Sequence, residues 1–172
     1  MDILNVLTSR ISVKAYKEDK VDRELLEKIA LAGIYAPSGM NRQMTKILVV
    51  DDYDLVRNIA KLNAGVMGMN NDPFYGAPAV LVVFADKDVN TYKEDGSLVM
   101  GNMLNEAHAL GLGACWIHRA YESFESEEGQ KIKEMYGIPS NYVGIGNCIV
   151  GYPKNDNLVQ KERKEGRIIF SK

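Results

Sequence analysis

The stretch from Asp95 to Arg119, DGSLVMGNMLNEAHALGLGACWIHR, constrains the fold most. Met100, Met103, Leu104, Ala107 and Leu110 recur at helical spacing, with Ala and Gly scattered among them. A helix that is apolar over most of its circumference belongs at the centre of a fold, covered on several sides. Asp95 and Ser97 are the candidate N-caps, and Gly111 is the candidate residue just past the C-terminus. A tight turn at Leu112-Gly113 leads into a short buried strand, Ala114-Cys115-Trp116-Ile117. His118 and Arg119 follow at its carboxyl end, where open α/β sheets bind ligands. A core helix feeding a core strand, with a plain polar loop beyond, fits the same residues, and the stretch alone favours that reading.

Earlier in the chain, residues 2–9 predict a short helix with Ile3, Val6 and Leu7 on one face. Apolar and polar residues then alternate from Arg10 to Tyr16, so the segment is extended and Arg10, Ser12 and Lys14 share one side. Two cations around a hydroxyl suit a phosphate. An exposed edge strand charged against aggregation accounts for the spacing equally well. Asp22 opens a helix through Leu25, Leu26, Ile29, Ala30 and Gly33, which ends before Pro37. Ala36 to Gln43 is a loop, in which Asn41 and Gln43 each offer a donor and an acceptor for a polar ring or polyol edge. A purely structural loop fits as well. Ile47–Val50 reads as a strand, and Asp51-Asp52 turns it into a helix through Leu55, Val56, Ile59 and Leu62. Residues 64–76, rich in Gly, Met and Asn, read as irregular and ligand-facing.

Ala79–Phe84 is the strongest strand, its continuous apolar run implying burial on both faces. Ser126 opens a helix that stops at Gly137 and Pro139. Tyr142–Val150 is a last strand, with Gly144 and Gly146 where a neighbour approaches closely. No repeat and no boundary interrupts this order, so residues 1–172 form a single domain, α+β, layered around one sheet.

Composition excludes several classes. The net charge of −2 gives no field favouring nucleic acid or an anionic membrane. The longest apolar run, Ala77 to Ala85, is too short to span a bilayer. Met1-Asp2-Ile3 offers no basic region of a secretory signal. Cys115 and Cys148 sit in apolar runs outside any C-x-x-C pair and read as buried free thiols, which points to a reducing cytoplasm. His108 and His118, ten residues apart with no Cys or Glu at metal spacing, argue against zinc. Gly144-x-Gly146-x-x-Ile149 lacks the third glycine and the following helix of a dinucleotide fingerprint, and no P-loop occurs. The tail from Asn155 to Lys172 is polar until Ile168-Ile169-Phe170, an apolar end that must bury somewhere, with a partner chain as one place. Lys161-Glu162-Arg163 reads by default as solvated charge.

Taken together, the chain resembles the nitroreductase family of flavin enzymes. The resemblance rests on Ser9-Arg10-x-Ser12-x-Lys14-x-Tyr16 and Ala36-Pro37-Ser38-x-x-Asn41-x-Gln43. It continues in Gly101-Asn102-Met103-Leu104 with Gly111-Leu112-Gly113, and ends with Gly151-Tyr152-Pro153 and a basic tail. It implies a three-layer α/β/α sandwich and a homodimer with FMN at the interface, the C-terminal tail extending onto the partner subunit. The implied activity is an NAD(P)H oxidoreductase reducing nitroaromatics, quinones or related acceptors by a ping-pong hydride mechanism. By position, Arg10, Ser12 and Lys14 would hold the phosphate, ribityl chain and pyrimidine edge of FMN, with Lys161 and Arg163 completing the phosphate site. Pro37, Ser38, Asn41 and Gln43 would come from a loop of the other subunit. Trp116, Ile117 and His118 would line the ring, with a backbone amide near His118 at N5 and Asn70 on the pyrimidine side. Arg119 is the candidate substrate contact, or else pairs with Glu122 or Glu125. No catalytic side chain and no metal are required.

This sequence departs from the family pattern in two places. Met44-Thr45 follows Gln43 where Pro-Trp is frequent, and His118-Arg119 stands where a small, glycine-containing segment is usual. The chain also lacks an insert for a lid, which implies an open site with broad substrate tolerance. Three alternatives remain: a different flavin chemistry on the same scaffold (dehalogenation, dehydrogenation or flavin breakdown), a non-catalytic flavin-binding redox protein, and a flavin-free domain whose cations are surface charge.

Overall fold

A computed structural model describes residues 2–155 and 159–171; residues 156–158 of the predicted polar tail lie outside the described residues. Four strands form one sheet: β1 (Thr45–Val50), β2 (Ala79–Asp86), β3 (Gly113–Ile117) and β4 (Tyr142–Gly151). Their spatial order is β1-β2-β4-β3 and every pairing is antiparallel. The rule that ligands bind at the carboxyl ends of parallel strands therefore does not apply here, and β3 matters because it is an edge.

The helices are α1 (Ile3–Ser9), α2 (Arg23–Ile34), α3 (Tyr53–Met67), α4 (Tyr92–Ala109), α5 (Ala120–Glu125) and α6 (Glu127–Met135). They cover both faces of the sheet. Along β2 the pleat sends Val80, Val82 and Phe84 to one side, where they meet Val56 and Ile59 of α3, Phe124 of α5 and Ile132 of α6. Ala79, Leu81 and Val83 point to the other side, against Leu26 and Ile29 of α2 and Val99, Met100 and Met103 of α4. All eight residues of β2 are buried, as their continuous apolar run requires. The result is the three-layer α/β/α sandwich.

Several boundaries differ from the sequence reading. Asp95 and Ser97 do not cap the central helix, which begins a turn earlier at Tyr92 behind Thr91. Asp95 lies inside that first turn, buried, and accepts hydrogen bonds from the Thr91 hydroxyl and the Gly39 amide. Gly111 does follow the helix end, at φ 79°. α3 continues through residues 64–67, expected to be irregular, and stops at Gly68 with φ 64°. The polar loop expected after β3 contains α5, a helix too short for a clear period. Gly144 lets α5 lie directly on the sheet, since a Cβ there would stand 2.5 Å from the Ala120 carbonyl oxygen. The side chains of α1 divide: Val6 is buried, whereas Ile3 and Leu7 are exposed.

Candidate active site

The segment after α1 runs along the sheet end. Ser12 bridges Ala114 of β3, the Val13 amide donates to the Ala114 carbonyl (3.1 Å), and the Lys17 amide donates to that of Tyr152 (2.9 Å). Val13 is buried beneath, so Ser12 and Lys14 face outward with Arg10, as the alternation predicts. The Tyr16 phenol anchors the segment by donating to the Val13 carbonyl (2.7 Å), and burial pushes its ionisation far above the usual phenol range. Arg10 lines a cavity of about 370 Å³ with Ser9, Leu104 and His108. Lys14 lies over the Tyr75 ring, 5.7 Å from its centroid, in a cavity of about 620 Å³ that Tyr53, Arg57 and Lys154 also line.

At the other end of β3, three successive carbonyls are held. Asn147 donates to that of Ile117 (3.5 Å), Asn63 to that of His118 (2.8 Å), and Ser123 to that of Arg119 through both its hydroxyl (2.8 Å) and its amide (3.1 Å). Arg119 itself adopts the left-handed conformation, φ 72°. Its guanidinium pairs with Glu122 at 2.7 Å, one of the two alternatives open from the sequence. The Glu122 carboxyl is held below the usual carboxylate range by the backbone amide it accepts from, then by Arg119. His118 and Trp116 lie on one side of the strand and line a cavity of about 450 Å³ with Tyr92, Lys93 and Tyr121.

The remaining candidates are placed apart. Ser38, Asn41 and Gln43 form a self-bonded turn: the Gln43 amide donates to the Ser38 hydroxyl and the Gln43 side chain to Asn41, both at 3.0 Å. Met40, Asn41 and Gln43 all have positive φ, and Asp95 ties the turn to α4 through Gly39. Pro37 precedes this turn, and none of these residues lines the cavities at Arg10, Lys14 or His118. Asn70 lines a separate groove, joined to that of Lys14 through Arg57, which lines both. Lys161 and Arg163 are exposed on the tail. The neighbouring Gln160 side chain donates to the Thr8 carbonyl, so the tail passes the end of α1 beside Arg10. Sequence reading missed Asn63 and Asn147, both fully buried; polar residues inside otherwise apolar runs were the available signal. It also missed Tyr75, Arg57 and Lys154 around Lys14. Burial pushes the Cys148 thiol up to about 12, so it stays protonated at neutral pH.

Arg10, Ser12 and Lys14 thus stand on the outward side of a segment bridged to the edge strand β3 of an α/β/α sandwich. The family model for the nitroreductase family matches residues 7–152, and the chain belongs to that family. A protein of Archaeoglobus fulgidus, provisionally assigned as an NADH dehydrogenase/NAD(P)H nitroreductase, is 30% identical over 162 residues, covering 90% of this chain and 87% of that one. A nitroreductase with bound FMN from Bacteroides fragilis superposes with a TM-score of 0.90 at 22% identity, covering all of both chains. An FMN-dependent nitroreductase from Clostridium difficile superposes with a TM-score of 0.81 at 26% identity, covering 99% of each.

Proposed function

We propose that this chain is an FMN-dependent NAD(P)H oxidoreductase that works as a homodimer on nitroaromatic, quinone or related acceptors. One observation carries the reading: the outward row Arg10, Ser12 and Lys14 is bridged to one end of β3, and a turn with all its carbonyls tied back lies at the other. From Ala114 to His118 is about 13 Å at strand rise, the distance an extended ligand touching both ends must cross. The donor set suits FMN. Arg10, with Lys161 and Arg163 on a tail that passes the same helix end, supplies cations for a phosphate dianion. Lys14 supplies positive charge for the pyrimidine edge, where the reduced ring carries negative charge. When bound, FMN would supply the two-electron redox chemistry between NAD(P)H and an acceptor. The protein binds, orients and shields.

Exposed apolar surface supports the homodimer in this reading. Ile3 and Leu4 of α1, Ile34 at the end of α2 with Tyr35 just past it, and Ile168, Ile169 and Phe170 of the tail are exposed in the protomer. A partner covering them would also bring in the Pro37–Gln43 turn, which this protomer holds away from its own Arg10 and Lys14. The His118 cavity, walled by Trp116, Tyr92 and Tyr121, suits a planar acceptor, and Arg119, paired with the lining Glu122, is the candidate contact for an anionic one. The two buried thiols fit a reducing, cytoplasmic setting. Among the described residues no helix is long and apolar enough to cross a membrane.

The visible spectrum of the purified protein tests this. A flavin band that bleaches on anaerobic NADH or NADPH, and returns with a quinone or nitroaromatic, is the expected result. Arg10→Ala removes a charge-assisted hydrogen bond worth about 1.5–3 kcal/mol, so FMN should bind roughly 10- to 100-fold more weakly. No flavin band after incubation with FMN would overturn the proposal. A band that does not bleach would favour a non-catalytic redox protein.

A further inference from the structure

We infer that Asn63 is a positioning residue for the flavin contact at the end of β3: by holding the His118 carbonyl it aims the Arg119 amide away from the core, toward the cofactor. The inference rests on the FMN reading above. Asn63 lies on the buried face of α3 among Val56, Ile59, Ala60 and Ala64 and is fully buried. An asparagine on such a face is costly, and this one is only half used, since its Oδ1 finds no donor among the described residues. Its Nδ2 donates to the His118 carbonyl (2.8 Å) and lies 3.5 Å from the Ser123 hydroxyl, which in turn holds the Arg119 carbonyl.

Peptide geometry gives this hydrogen bond a consequence. None of the peptide bonds among the described residues is cis, and in a trans peptide the C=O and the following N–H point in opposite directions. Fixing the His118 carbonyl toward α3 therefore fixes the Arg119 N–H away from it. Asn147 applies the same logic one peptide earlier, turning the Ile117 carbonyl toward β4 and the His118 N–H toward the free edge. Two consecutive amides are thereby presented outward before any ligand arrives, as preorganised donors should be. A leucine at residue 63 would fill the same space with no polar group, so packing alone does not call for asparagine.

The test uses Asn63→Leu in the full chain. His118-Arg119 is the only His-Arg pair in the sequence, so carbonyl-13C histidine with 15N arginine gives a single amide signal, that of Arg119. The expected result is that this signal moves when FMN is added to the unmutated protein and is displaced in the flavin-free variant. FMN should then bind the variant roughly tenfold more weakly, with a shifted midpoint potential. A purely structural asparagine would change the melting temperature but leave the potential and the amide signal where they were, and that outcome overturns the inference. If Asn63→Leu does not fold, Asn63→Ser, whose hydroxyl is too short to reach the carbonyl, carries the same outcomes. If the unmutated protein takes up no FMN, the proposed function fails, yet the flavin-free comparison still decides whether Asn63 orients this peptide.

Discussion

Arg119 shows how one residue serves two purposes at some cost. Its φ of 72° is left-handed, a conformation that costs a residue with a Cβ about 1–2 kcal/mol. Its ion pair with Glu122 is half exposed on both sides and returns under about 1 kcal/mol. Glu122 keeps its leading stabiliser, the backbone amide, whether or not Arg119 is present. Replacing Arg119 by glycine should therefore stabilise the protein by about 0.5–1 kcal/mol, raising the melting temperature by about 1–4 °C. Arg119→Ala keeps the strain and loses the pair, so the expected order of melting temperatures is Gly, then Arg, then Ala. A glycine variant that melts below the parent would show that the guanidinium contributes more than its exposure allows. Kinetics separate a functional role from this thermal one: if Arg119 meets an anionic acceptor, Arg119→Gly raises KM for that acceptor and leaves a neutral quinone unaffected.

Elements were legible in proportion to how much of their pattern is local. β2 announced itself because eight consecutive buried residues leave no polar position to explain away. α3 was placed at its start because Asp52 caps it through the Leu55 amide, a signal contained within four residues. The start of α4 was misplaced because Asp95 and Ser97 look like caps, yet the Asp95 carboxylate serves Gly39, 56 residues away in sequence. No local rule carries such a contact. α5 was invisible for the opposite reason, being six residues with no room for a period. The cations of the candidate site followed from strand alternation, a local rule, and the resemblance named their ligand. Asn63 and Asn147 were visible as polar residues in apolar runs, but what they hold could not be read, because the carbonyls belong to residues 55 and 30 positions away.

The close approach of α5 to β4 gives this scale its own prediction. A Cβ on Gly144 would meet backbone of Ala120, which cannot rotate aside. Gly144→Ala should cost roughly 2 kcal/mol of stability by overpacking. Because α5 carries Ser123, the shift should also loosen the Arg119 carbonyl and weaken FMN binding. Thermal unfolding with an FMN titration on the same sample checks both. Lower stability with unchanged FMN affinity would separate the packing of α5 from the site.

For the whole molecule, the protomer leaves unfinished business at its C-terminus. Ile168, Ile169 and Phe170 are 78%, 89% and 86% exposed, at the end of a tail whose described residues form no strand. Burying a side chain of this size fully is worth about 1.5–3 kcal/mol, so three of them hold several kcal/mol that the protomer does not use. The exposed leucines and isoleucine of α1 face solvent in the same protomer, and the Pro37–Gln43 turn stands apart from the cations it would complete. The proposed homodimer would resolve all three at once, and assembly and cofactor binding would then be linked. Light scattering should give a mass about twice 19.2 kDa for the unmutated chain. Replacing Ile168, Ile169 and Phe170 together by serine should shift that mass toward the monomer at micromolar concentration, with bound FMN falling in step. A triple variant that remains dimeric with full flavin would show that the helix faces suffice and that the tail end serves something else. A chain that is monomeric from the start yet holds FMN would sink the shared site and leave Arg10, Lys14 and the turn at His118 as the whole of it.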